Sequence, residues 1–170
     1  MAHMVPTAKH LATEREQAMA NEPAEPRRHV TIEKIYLKNL SFVSPKVPEA
    51  FSTGVDVENL LNIQSTNAEI NPEHVEVTLT VAVKAVAGQD TIFRVDVVQA
   101  GVFRITGYTP EERVEIVGRF CPETLFPFAR KAIDDAARKG GFPHVLLRPL
   151  DFDALFDQNM RERTEPTATV

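Results

Sequence analysis

The chain carries one cysteine, Cys121, among 170 residues. A lone thiol excludes an internal disulfide, so packing must hold the fold, and the count suits a reducing cytosol. Basic clusters are missing too. A formal net charge of -5 argues against nucleic acid as the main partner, because phosphate binding needs grouped Lys and Arg. No apolar run approaches the ~20 residues of a membrane-spanning helix. The first residues lack the apolar centre of a secretory signal, which makes a cytoplasmic protein without direct membrane insertion the expectation. Five histidines (His3, His10, His29, His74, His144) are scattered, and no two have metal-ligand spacing, so no metal is expected. A phosphate-cradling glycine loop and a nucleophile elbow are both absent, and no cofactor or catalytic residue is expected.

What is present is the composition of a globular domain, 43% hydrophobic and 25% charged. Residues 1–29 read as a disordered arm with Pro23 and Pro26 and no apolar periodicity, apart from a weak helical stretch over Leu11 to Asn21. Residues 159–170 read as a flexible tail. Charges cancel within both ends, so the whole excess of acid falls on residues 30–158.

That central segment opens with strand-forming residues, Val30 to Leu40, which Pro45 and Pro48 end. A less regular stretch runs through Val55, Leu60, Leu61 and Ile63. Strict alternation follows: Val75, Val77, Leu79, Val81 and Val83 on one face, Glu76, Thr78, Thr80 and Lys84 on the other. After Ala87-Gly88-Gln89-Asp90 the pattern resumes at Phe93, Val95 and Val97, which predicts an antiparallel hairpin. Between Val97 and Phe103 both faces of the second strand are apolar, so each must be packed or left open for a partner.

Helix signals come last. Thr109-Pro110-Glu111-Glu112 predicts a capped start, Cys121-Pro122 a break in that first helix, and Leu125 to Ala136 a helical face ending at Gly140-Gly141. Pro127 is placed in the first turn or at a kink. Asp151 is the expected cap of a final short helix bearing Phe152, Leu155 and Phe156. Four strands followed by two or three helices predict an α+β fold with two layers: a four-stranded antiparallel sheet carrying a long and a short helix on one face.

Chemistry is sparse. Asp134 and Asp135 are read as a solvated helix face pairing with Arg138 and Lys139. Cys121 is read as a packed side chain, the competing reading being a thiolate approached by His74 or His144. Apolar side chains, in contrast, crowd residues 126–156: Phe126, Phe142, Val145, Leu146, Leu147, Leu150, Phe152 and Phe156, several of them in a loop. Two readings stand: completion of a core or an oligomer contact, or a groove that buries extended apolar peptides without reading their sequence.

Four blocks resemble the SecB family of protein-export chaperones. They are Ile35-Tyr36-Leu37-Lys38-Asn39-Leu40-Ser41-Phe42 with Pro45, Gln99-Ala100-Gly101-Val102-Phe103 with Gly107, Cys121-Pro122-Glu123-Thr124-Leu125-Phe126-Pro127-Phe128-Ala129-Arg130, and Phe152-Asp153-Ala154-Leu155-Phe156. The resemblance covers about 30–158. It implies a homotetrameric dimer of dimers that keeps unfolded preproteins translocation-competent and delivers them to the SecA motor, without catalysis or cofactor. It further implies Val95, Val97 and Gln99 in subunit association, Leu61, Ile63, Leu146 and Leu147 along the client groove, and Asp96 in SecA contact; Phe142 joins the groove from the apolar crowding described above. Asn39, Val43, Asn62 and Gln64 stand where the family commonly has acids facing the basic tail of SecA. A solitary holdase serving other clients, such as an antitoxin, is therefore the second reading.

Overall fold

The computed structural model describes residues 27–52, 54 and 56–164 of the chain. The expected arm up to residue 26, its weak helix, and the last six residues lie outside them. Four strands, β1 (His29–Val43), β2 (Glu58–Glu69), β3 (His74–Ala87) and β4 (Asp90–Thr106), form one antiparallel sheet in the order β1-β4-β3-β2. The alternation from Val75 to Val83 is the reason β3 sits centrally: its odd-numbered side chains are fully buried, and its even-numbered ones are not. Gly88, with φ at +63°, turns β3 into β4.

Antiparallel pairing carries this parity across the sheet. Val83, Val81, Leu79, Val77 and Val75 lie opposite Val95, Val97, Gln99, Gly101 and Phe103, which puts all ten on the inner face. β2 joins with an uninterrupted register, Leu61 opposite Val83 and Ile63 opposite Val81. The irregular stretch of the sequence is therefore a full strand from Glu58 onward. β1 pairs with β4 through two register shifts, and at the second Lys38 is the extra residue, reaching across to Glu76.

The helical layer begins with α1 (Pro110–Glu115), where Thr109 and Glu112 form a capping box and Pro110 occupies the first turn. No break follows. A wider π-helical segment, Ile116–Phe120, leads directly into α2 (Cys121–Lys139), and Cys121 itself is helical. A proline needs a turn in which the lost N–H and the bulky ring are tolerated. The π segment supplies one just before Pro122, so the helix widens there instead of ending. Pro127 falls in the second turn of α2 rather than the first.

α2 lies over β4 and β3 and buries Leu125, Phe126, Ala129, Ile133, Ala136 and Ala137. Gly101 allows this approach: a Cβ there would stand 3.0 Å from Leu125 Cδ2. Helix α3 (Phe152–Thr164) is capped by Asp151, whose Oδ1 accepts from the Ala154 N–H at 2.9 Å. It extends past residue 159, where a tail was expected, so the two-layer fold reaches further along the chain. Ion pairs are also reassigned: Asp135 binds Lys131 and Arg138 rather than Lys139.

Candidate functional site

Because α2 covers the two central strands, apolar side chains on the inner rim of β2 are left uncovered. Leu61 remains 39% exposed and Ile63 half-buried. Strand alternation places Asn59, Leu61, Ile63 and Ser65 on one side, with Val57 just before the strand, a track of roughly 26 Å at about 3.3 Å per residue.

One end of the track is an aromatic cavity of about 440 Å³ lined by Phe51, Val57, Ile92, Gly141, Phe142 and Pro143. The end of α2 puts Phe142 there. Gly141 adopts φ +86°, its N–H bonds the Arg138 carbonyl, and the Phe142 N–H bonds the Ala137 carbonyl, both at 3.0 Å. This glycine-dependent helix stop turns the chain back and swings Phe142 under the helix end. Its ring centroid lies 4.6 Å from Phe93, 5.2 Å from Phe51 and 6.2 Å from Phe42, spacings at which tilted rings attract. The sequence gives no sign that Phe42, Phe51 and Phe93 meet Phe142, because only the fold brings four distant segments together.

The other end is a furrow of about 170 Å³, where Ile63 and Ser65 face Pro122, Phe152, Leu155 and Phe156 together with the polar Gln158, Asn159 and Glu162.

Not every expected groove residue joins this track. Val145 and Leu147 are buried, the latter only 8% exposed, while Leu146 between them is 81% exposed. An extended loop alternates, so neighbours cannot both face a groove. Asp134 fixes that phase by accepting the Val145 N–H at 3.0 Å and contacting His144 Nδ1 at 3.1 Å. Leu146 lines a separate shallow furrow with Pro127, Arg130 and Lys131. In this subunit Leu147 is buried and Leu146 faces a second surface, while Asp134 clips the loop and also pairs with Arg138 at 3.3 Å, as the helical spacing predicted.

The residues expected at a subunit contact lie inside the protein. Val95 and Val97 are fully buried and Gln99 is 5% exposed. Gln99 is satisfied there by donating Nε2 to the Tyr36 carbonyl at 2.9 Å, beside the β1 irregularity. Within the subunit their side chains form the floor under α2. Among the apolar side chains exposed to solvent are Phe128 on α2 and Leu37 and Leu40 on β1.

On the outer face of the sheet Asp96 is half-buried and held by Arg94, Nε to Oδ2 at 2.6 Å and Nη2 to Oδ1 at 2.7 Å. Glu76 accepts from Lys38 at 2.9 and 3.0 Å and from the Tyr36 hydroxyl. These bonds lower the Glu76 carboxyl below its ordinary range and push the Tyr36 phenol up to about 12. Both acids thus face the solvent already neutralised by a cation.

Cys121 is buried at the start of α2, and desolvation pushes its thiol up to about 12. Thiolate is the reactive form, so alkylation at pH 8 should proceed only after denaturation. Rapid modification of the native protein by a maleimide would contradict that burial. Among the described residues no group of three or more His, Cys, Asp and Glu side chains is arranged to hold a metal. No described helix is long and apolar enough to cross a membrane.

Comparison with known proteins matches this arrangement. The family described as "Preprotein translocase subunit SecB" matches residues 23–163. The "Protein-export protein SecB" of Methylococcus capsulatus is 36% identical over 143 residues, 84% of this chain and 92% of that protein. Its counterpart from Nitrosococcus oceani is 42% identical over 134 residues, 78% of this chain and 82% of the other. Among solved structures, a SecB-like chaperone of Mycobacterium tuberculosis, in complex with a ChAD peptide from the HigA1 antitoxin, superposes with a TM-score of 0.60. It covers 71% of this chain and 90% of its own at 16% identity, a likeness of fold.

Proposed function

Because this chain belongs to the SecB family of protein-export chaperones, we propose that it holds unfolded precursor proteins along the β2 track and delivers them to the SecA motor from the cytoplasm. The observation that carries this reading is the uncovered apolar line from the Phe142 cavity through Leu61 to Ile63. At roughly 25 cal/mol per Å², each fully buried aliphatic or aromatic client side chain contributes about 1.5–3 kcal/mol. A few such contacts hold a chain without recognising its sequence, and extended polypeptide fits because the track itself follows a strand.

Assembly into a homotetramer is part of the proposal. Phe128, Leu37 and Leu40 offer apolar surface on the helix and on β1 beyond the client track. Association there would keep these residues from competing for clients.

Client holding is tested by mixing the purified assembly with a denatured precursor and following light scattering as denaturant is diluted. Suppression of aggregation at equimolar tetramer is the expected result, and undiminished aggregation would sink the reading. A second function, a solitary holdase for clients such as an antitoxin, is favoured by the outer face, where Arg94 and Lys38 already neutralise Asp96 and Glu76. A basic partner gains little from acids that are paired beforehand, and exposed pairs contribute only about 0.2–1 kcal/mol each. Titration with SecA tail peptide at several salt concentrations decides between the two. Tight, salt-sensitive binding supports delivery, and its absence supports the solitary holdase.

A further inference from the structure

The two edges of the sheet are built differently. The register of β1 with β4 is broken twice, between Ile32 and Lys34 and between Leu37 and Asn39. Both extra residues, Glu33 and Lys38, are charged and reach across β4 to β3: Glu33 Oε1 lies 3.0 Å from His74 Nε2, and Lys38 Nζ lies 2.9 Å from Glu76 Oε1. Bulges and charges of this kind blunt an edge against further pairing. β2 has neither. Its register with β3 runs unbroken from Glu58 to Glu69, and residues 59–68 between those acids include no charge, proline or glycine. Every residue of β2 except Ile63 is exposed. Among the described residues β3 is the only strand that pairs with β2. In an antiparallel ladder every second residue turns its N–H and C=O away from its neighbour, so β2 offers a long row of main-chain groups with only water to bond.

We infer, on the client-holding reading of the track, that this free edge is the other half of the client site: an extended client segment adds to β2 as a fifth strand, held by main-chain hydrogen bonds while its inward side chains cover Leu61 and Ile63. A strand added there lies about 4.8 Å from β2, so every second client side chain falls beside Leu61 and Ile63 on the inner face. Every residue except proline brings one donor and one acceptor. The edge therefore recognises backbone, and its ligand class is extended, proline-free polypeptide of any apolar sequence. Charge selects a client over a second copy of this chain. Two β2 strands in full antiparallel register, Ile63 opposite Gln64, would set Glu58 of each copy directly against Glu69 of the other, a repulsion at both ends. An apolar segment brings no such conflict.

The test uses the full-length assembly labelled with nitrogen-15 and follows amide hydrogen exchange along β2. The ligands are a short peptide alternating Leu and Ser and the same peptide N-methylated at every amide. In the free assembly the outward amides of β2 should exchange fast. Saturation with the unmethylated peptide should slow them at least about tenfold, while the amides already bonded to β3 change little. Methylation removes every donor and adds apolar surface. It should cost about thirtyfold in affinity and abolish the protection. A methylated peptide that binds as tightly, or outward amides that stay fast at saturation, would mean that side chains alone hold the client; that overturns strand addition and leaves client holding intact. Outward amides already protected in the free assembly would mean that another copy occupies the edge, which overturns it as well. A peptide that binds nowhere overturns both.

Discussion

Val97→Arg will leave essentially no folded subunit, and with it no assembly. Val97 is fully buried on the inner face, opposite Val81 in the register. A guanidinium there has no carboxylate to meet, and the enclosed strand denies it water. The loss exceeds about 4–5 kcal/mol, a large part of the ~5–15 kcal/mol that stabilises a typical domain. Val98→Arg, one residue along, turns to the outer face beside Thr80 and should cost about 1 kcal/mol. Urea unfolding and light scattering on the two variants check both statements. Equal tolerance of both substitutions would mean that the parity of β4 is misassigned.

The second large effect concerns binding. Phe142→Ala removes the ring shared by Phe42, Phe51 and Phe93 and should weaken an apolar client peptide by about 2 kcal/mol, roughly thirtyfold. Some stability is lost as well, because a half-buried aromatic is truncated. Phe103→Leu serves as the comparison, since it disturbs the core beneath α2 away from the cavity. That variant should lower the unfolding midpoint and leave peptide affinity within about twofold. Should both variants lose affinity in proportion to stability, the cavity has no direct part in holding clients.

The central hairpin was fully legible in the sequence, because Val75 to Val83 and Phe93 to Val97 alternate strictly and a short polar turn joins them. The capping box at Thr109 and the cap at Asp151 were legible for the same reason: each depends on residues within one turn. One feature was misread through a local rule that a neighbouring element overrides, and another has a second explanation within the subunit. Pro122 should end a helix, and the π-helical segment before it removes the need. Val95, Val97 and Gln99 lie on a strand apolar on both faces, which suggested a contact with another subunit. α2 of the same chain covers one of those faces, and a strand pattern cannot state which element will do the covering.

The site was legible only in part. Leu61, Ile63 and Phe142 fall along one side of the subunit, whereas Leu147 turns into the core because Asp134 sets the phase of its loop. Phe51 gave no local signal at all. It acts on a segment tens of residues away, and that proximity exists only after the sheet has formed in the order β1-β4-β3-β2.

The account depends on apolar side chains of the β2 rim being covered by a client and by nothing else in the subunit. Native Cys121 is buried, so once its protection from maleimide is verified a single introduced cysteine can be read without background. Leu61→Cys on the track and Lys84→Cys on the outer face should both alkylate readily in the free assembly. Adding an unfolded precursor should slow modification at Leu61→Cys about tenfold and leave Lys84→Cys unchanged. Equal protection of both positions, or protection of neither, would contradict the claim that the inner rim of β2 is where this protein holds its clients.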